Sequence, residues 1–212
     1  MRWSEGGKFE NPEPGSHLAR CYAVIDLGSQ PHTWGDEIKL SRDVRISFEL
    51  PHSLMEGLYN AEMRGKPFTA HLTVKQSLHP AARLRKLLEG WRGKRFEAAS
   101  IEAFNPSNLV GQCCRLSLIL SDSGYVNIDS IATAKKDEIA SMPAKFNAGV
   151  FFSLAPEEFS QRVFDGLSDK TKEKIKATPE WAYLMDPKSN ANDAYAEQDM
   201  AGDKPSSDPI PF

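Results

Sequence analysis

Cysteine is scarce, with three in 212 residues. Cys21, Cys113 and Cys114 are too few and too unevenly spaced for a disulfide framework. Adjacent Cys113 and Cys114 point to opposite faces of a strand, so they do not make a CxxC metal pair. They fit small buried residues in a reducing compartment. Long apolar runs are missing too: no stretch of about 18 apolar residues exists, so no membrane span is expected. The opening Met1-Arg2-Trp3-Ser4-Glu5-Gly6-Gly7 has no apolar signal region, so a cytoplasmic protein is expected. GxSxG, HExxH and the Walker phosphate loop are absent. His52 and Glu56 lie four apart without a third metal ligand, and the acids of the body are scattered rather than clustered. The expectation is therefore a protein with no catalytic residue, no metal and no cofactor.

What is abundant is positive charge in one place. Arg64 to Phe96 holds nine basic residues and the single acid Glu89, net +8, inside a chain of formal net charge −3. Residues 1–150 carry 19 Lys+Arg and 17 Asp+Glu, net +2; residues 151–212 carry 7 and 12, net −5. A dense cationic segment needs an anion to face, and a polyphosphate backbone supplies charge at short, regular spacing.

Alternation predicts five strands: His17 to Gly28, Glu37 to Leu50, Phe68 to Ser77, Gln112 to Leu120 and Tyr125 to Ala134. Ile38, Leu40, Val44, Ile46, Phe48 and Leu50 share one face of the second, which Pro51 ends. A turn-rich loop, Gly28 to Asp36, carries Trp34, and a helical turn is expected at 53–58. A helix from Pro80 to Glu89 falls between the third and fourth strands, with Leu84, Leu87 and Leu88 as its apolar stripe. Residues 135–148 read as polar loop, and Phe151-Phe152 as a short added strand. Pro156 to Leu167 and Ser168 to Ala177 read as helices, with a further helical turn opened by Thr178-Pro179-Glu180. Five strands with one helix between the third and fourth is the element order of an OB-fold, a Greek-key barrel; other small β-barrels share the pattern. The expected fold class is thus mainly β with added helices. A flexible arm spans 1–16, the barrel 17–154, a C-terminal helical segment 155–185 and a disordered acidic tail 186–212.

The outward faces of these strands agree in chemistry. Arg20 and Tyr22 lie on the first strand, Lys39 and Arg45 on the second, His71 and Lys75 on the third, Arg115 on the fourth and Tyr125 on the fifth. Trp34 sits between the first two strands, and Trp91-Arg92-Gly93-Lys94-Arg95 follows the helix. Cations that track phosphates and flat rings that stack on bases are what a single-strand binder needs. The DNA-contacting set is therefore Arg20, Tyr22, Trp34, Lys39, Arg45, His71, Lys75, Trp91, Arg92, Lys94, Arg95, Arg115 and Tyr125, with Trp91 divided between helix packing and base stacking.

The chain closes on Asp208-Pro209-Ile210-Pro211-Phe212. This tip resembles that of bacterial and phage single-stranded-DNA-binding (SSB) proteins, an acidic stretch ending Ile-Pro-Phe. The body is similar to a family of phage-encoded SSB proteins at Ala19-Arg20-Cys21-Tyr22-Ala23-Val24-Ile25-Asp26-Leu27-Gly28, at Leu84-Arg85-Lys86-Leu87-Leu88 with Trp91-Arg92-Gly93, and at Phe164-Asp165-Gly166-Leu167-Ser168 with Pro179-Glu180-Trp181. Where the bacterial pattern has several acids in a row, this tip has Asp208 alone before Pro209. The resemblance implies an OB-fold, sequence-independent binding of single-stranded DNA, and a role in replication, recombination or repair. It implies that Asp208, Pro209, Ile210, Pro211 and Phe212 recruit replication or recombination proteins. Self-association along DNA is a further partner expectation. The alternatives are a strand-annealing or recombination-mediator protein and a nuclease subunit.

Overall fold

A computed structural model describes residues 10–122 and 124–186. The N-terminal nine residues and the 187–212 segment with the Asp208–Phe212 tip lie outside it. The fold is mainly β. Six strands form one sheet: β1 (Gly15–Trp34), β2 (Glu37–Leu54), β3 (Pro67–Lys75), β4 (Cys113–Leu120), β5 (Val126–Ala132) and β6 (Val150–Phe152). The hydrogen-bonded order is β3-β2-β1-β4-β5, all antiparallel, and β6 pairs parallel to β1. Edge strands β3 and β5 approach within 8 Å between Cα atoms without pairing.

β1 organises the molecule. Along one edge it pairs with β2 from Arg20 to Trp34. Along the other it pairs first with β4, from Gly15 to Arg20, and then with β6, from Ala23 to Ile25. A bulge between Cys21 and Ala23 falls where this second partner changes. It also inverts the pleat, because one extra residue moves later side chains to the opposite face. Ala19, Cys21 and Val24 therefore enter one core, while Ala23, Ile25 and Leu27 enter a second. Ala19, Cys21, Ala23, Ile25 and Leu27, which alternate in the sequence as one face of an unbroken strand would, thus share a core only as far as the bulge.

The first core fills the inner side of the curled sheet with Val44, Ile46, Phe48, Leu50, Leu72, Val74, Leu116 and Leu118. Helix α1 (Arg83–Arg92) closes it. Leu84, Leu87, Leu88 and Trp91 recur at i, i+3, i+4 and i+7, and all are buried. A Cβ on Gly90 would stand 2.4 Å from the Ile131 carbonyl oxygen, so glycine alone admits α1 this close to β5. Gly93 ends the helix at φ 67°, a left-handed cap that glycine adopts without strain. Two short helices follow, α2 (Ala98–Glu102) and α3 (Lys136–Ala140). The second core joins β1 and β6 to α4 (Gln161–Asp165), α5 (Asp169–Lys176) and α6 (Pro179–Met185). Its apolar residues are Phe152, Leu154, Phe164, Leu167 and Ile175, with Trp181 stacked on Phe164 at 4.3 Å.

Several expectations change: α3 stands in the expected polar loop 135–148, and α4 covers only Gln161–Asp165 of the helix expected over Pro156 to Leu167. β1 and β2 continue through the predicted loop as a long hairpin turning at Gly35-Asp36. There β2 has no β3 partner before Asp43, so Ile38 and Leu40 are 73% and 62% exposed rather than core. β2 also runs past Pro51 to Leu54; a register shift after Leu50 spares the proline a ladder bond it could not donate. The helical turn expected at 53–58 is instead a 3-10 turn at Ala61–Met63. Among the described residues no helix is long and apolar enough to cross a membrane.

Candidate nucleic-acid interface

The face of β1–β2–β3 turned away from α1 presents the polar positions of all three strands. Cross-strand register sets Arg45 opposite Thr73, Ser47 opposite His71 and Glu49 opposite Thr69. The β1 bulge brings Tyr22 beside them, lining a cleft of about 580 Å³ with Arg45, Ser47, His71 and Thr73. Its second wall comes from the C-terminal helices, through Gly166, Leu167, Ser168 and Thr171.

Polar contacts fix the rings and the cation here. His71 Nδ1 lies 3.0 Å from Ser47 Oγ, and its Nε2 lies 3.4 Å from Thr69 Oγ1. Desolvation, then the charge of Arg45, holds His71 below its ordinary pKa, so the ring is neutral at pH 7. Burial pushes the Tyr22 hydroxyl above its ordinary value, so it remains a phenol. Arg45 Nη1 donates to Thr171 Oγ1 at 3.0 Å, and Thr171 is itself 3% exposed on α5. The cleft thus offers one guanidinium, one aromatic ring and several hydroxyls. That set suits a phosphate and a flat base. Ser47 and His71 make a hydroxyl–imidazole contact, but the second imidazole nitrogen meets a threonine hydroxyl rather than an orienting carboxylate.

The ends of this face are closed by its own ion pairs. Arg20 donates to Glu49 Oε1 at 2.9 Å and to the Pro143 carbonyl at 2.8 Å. Glu49 is fully buried and also accepts from the Phe146 and Asn147 amides and from Asn147 Nδ2. The loop around Pro143–Asn147 therefore lies over Arg20. At the other end Lys75 is in register with Asp43, which His32 contacts at 3.1 Å.

The remaining predicted contacts are dispersed. Trp91 is 6% exposed, packs 5.4 Å from Phe48 and donates its indole N–H to the Cys113 carbonyl at 2.9 Å. The ring is thus built into the core, the helix-packing half of its sequence reading rather than the stacking half. Arg92 lies over the Phe96 ring at 4.1 Å, while Lys94 and Arg95 are exposed beyond the end of α1. Since α1 packs on the inner side of the sheet, these three lie on the other side of the sheet from the cleft. Much of the basic segment is internally engaged: Arg85 holds Glu89 and the Leu78 and Phe96 carbonyls, and Arg83 holds the Ile128 carbonyl. Arg115 bonds Ser16 and Glu138. Lys39 pairs with Glu37 on the hairpin, Trp34 ends β1 at its tip, and Tyr125 is 60% exposed on the β4–β5 hairpin.

The structure thus gathers Tyr22, Arg45 and His71, with Arg20 alongside, and separates them from the Arg92–Arg95 group. Sequence reasoning missed the site role of Ser47, Thr69 and Thr73, although all three lay on outward positions of predicted strands. Thr171 carried no local signal, because it reaches Arg45 across 126 residues. Among the described residues no group of three or more His, Cys, Asp or Glu is placed to hold a metal ion. Comparison of the chain with protein-family models, with curated proteins and with solved structures gives no match in any of the three.

Proposed function

We propose that this protein binds single-stranded DNA without sequence preference and without catalysing a reaction, on an OB-fold barrel. The topology supports the barrel reading. Strand order β3-β2-β1-β4-β5, a helix between β3 and β4, and edge strands β3 and β5 within 8 Å of each other are what a five-stranded Greek-key barrel would have. The observation that carries the binding reading is the cleft, where Tyr22, Arg45 and His71 converge on the face of the second and third strands. The biological setting proposed is protection of single strands in phage replication, recombination or repair. The acidic 186–212 segment would regulate access to DNA, and Asp208–Phe212 would recruit partner proteins.

Fluorescence anisotropy with labelled oligothymidylate and mixed-sequence strands tests this. Comparable affinities and a log–log salt slope of several units are expected. Tyr22→Ala should weaken binding by about 1–3 kcal/mol while the protein remains folded. Labelled strands should survive incubation with Mg²⁺. Absence of binding at low salt, or degradation of the strand, overturns the reading.

A further inference from the structure

On the other side of the sheet from the cleft, a pocket of about 620 Å³ lies between α1, α2, α3 and the start of β4. Arg92 is the one charged residue among those that line it. The half-buried Arg20, Arg42, Arg45, Arg85 and Arg115 each donate to a protein acceptor. Among the described residues Arg92 makes no such bond. Its guanidinium rests on the Phe96 ring at 4.1 Å, and its Nη1 is buried with no hydrogen-bond partner. A buried, charged donor without an acceptor is costly. An anion with several oxygens satisfies it best, because the guanidinium presents its N–H groups as a planar fork.

The rest of the lining indicates what that anion is attached to. Phe104, Leu109 and Ile139 offer apolar surface to the faces of a flat ring. Asn108 and Gln112, both exposed, bring carboxamides to the same pocket. A hydrocarbon tail would leave those amides to water, whereas a nucleobase edge pairs with Asn and Gln side chains. The volume is that of a small-ligand site, with a few polar groups on an apolar surface. We infer that this pocket binds a phosphorylated nucleoside, the phosphate on Arg92 and the base against Phe104, Leu109 and Ile139. The same chemistry is carried by a free mononucleotide and by the 5′-phosphorylated end of a strand. The site is separate from the Tyr22–Arg45–His71 cleft and does not depend on it.

Isothermal titration calorimetry of the full chain with dAMP tests this, with inorganic phosphate and deoxyadenosine as the two halves of the ligand. dAMP should bind about tenfold more tightly than either half, since linking the halves makes the second contact intramolecular. Arg92→Gln should weaken dAMP binding about tenfold, as loss of a charge-assisted bond predicts. Gln112→Glu places an acid at an exposed position of the pocket with little change of shape. It should weaken dAMP binding similarly with the circular dichroism spectrum unchanged. Tyr22→Ala should leave dAMP binding as it is. Anisotropy with labelled oligodeoxyadenylate, with and without a 5′-phosphate, separates the sources. A gain in affinity from the phosphate that Arg92→Gln removes assigns the strand end, and no gain beside dAMP binding assigns the free nucleotide. No dAMP binding, inorganic phosphate binding as tightly as dAMP, affinity indifferent to both pocket substitutions, or loss of dAMP binding in Tyr22→Ala would overturn the inference. Its failure leaves the cleft reading standing, and an oligonucleotide affinity unchanged by Tyr22→Ala leaves this one standing.

Discussion

Glu49→Gln isolates the contact that covers Arg20. Both carboxylate oxygens of Glu49 face donors only: Oε1 takes Arg20 Nη1 at 2.9 Å, and Oε2 takes the Asn147 amide at 2.8 Å, Asn147 Nδ2 at 3.0 Å and the Phe146 amide at 3.2 Å. A carboxamide has nearly the same shape but a single acceptor oxygen. In either flip its NH₂ faces a donor, and in one flip that donor is Arg20, whose side chain is only 14% exposed. Breaking a buried charge pair with the structure held fixed costs roughly 3–5 kcal/mol. The loop need not hold, because residues 143–147 can release into water and satisfy their amides there. That escape limits the expected loss to about 1–3 kcal/mol, one unsatisfied buried polar group. Urea unfolding should report a loss of that size. Amide exchange at Phe146 and Asn147 should accelerate by roughly 5–150-fold, the same energy read locally. Released from Glu49 and the Pro143 carbonyl, Arg20 would join the cleft, so DNA binding should tighten even as the fold weakens. Stability within about 0.5 kcal/mol of wild type, with unchanged exchange at both amides, would refute the reasoning.

Acidification gives a second opposed pair of effects. His71 has a depressed folded pKa, so the unfolded chain takes up the proton first and stability is lost as pH falls through about 6.5. A bound phosphate favours the imidazolium, so DNA affinity should rise over the same range; Tyr22 stays neutral, and His71→Asn should flatten both profiles. Gly90→Ala should destabilise by about 1–3 kcal/mol or more in thermal or urea melts, because its methyl meets the Ile131 carbonyl rather than a yielding side chain. Under native conditions a thiol reagent should label Cys113 well before the other two cysteines. Cys21 and Cys114 are 0% exposed, and burial raises the Cys21 thiol to about 12 and the Cys114 thiol well above its ordinary value.

Strands were legible where burial alternates residue by residue, as from Ala70 to Val74 in β3 and from Cys114 to Leu118 in β4, since alternation then records the fold directly. β1 defeats the rule because one bulged residue transfers its apolar positions to a second core. The outer half of β2 defeats it differently: Ile38 and Leu40 keep the period of the core face on a hairpin that runs out beyond β3. At the site, Tyr22, Arg45 and His71 were legible as outward residues on adjacent strands. The partners that quench other cations were not, because Glu49 lies 29 residues from Arg20 and Glu138 lies 23 from Arg115. The density of positive charge pointed to Arg64–Phe96, yet several of those guanidiniums secure α1 and its neighbouring turns.

The two-core arrangement of β1 bears on how the chain is made. Ala23, Ile25 and Leu27 emerge early in synthesis, but their covering partners, Phe152 to Ile175, emerge some 125–150 residues later. At about 5–20 residues per second that is roughly 6–30 s during which the sheet can fold with one side still bare. A fragment stopped after Phe152 would keep that side bare permanently. The C-terminal helices are therefore not an appendage that trimming removes cleanly: a chain shortened there should sediment as aggregates.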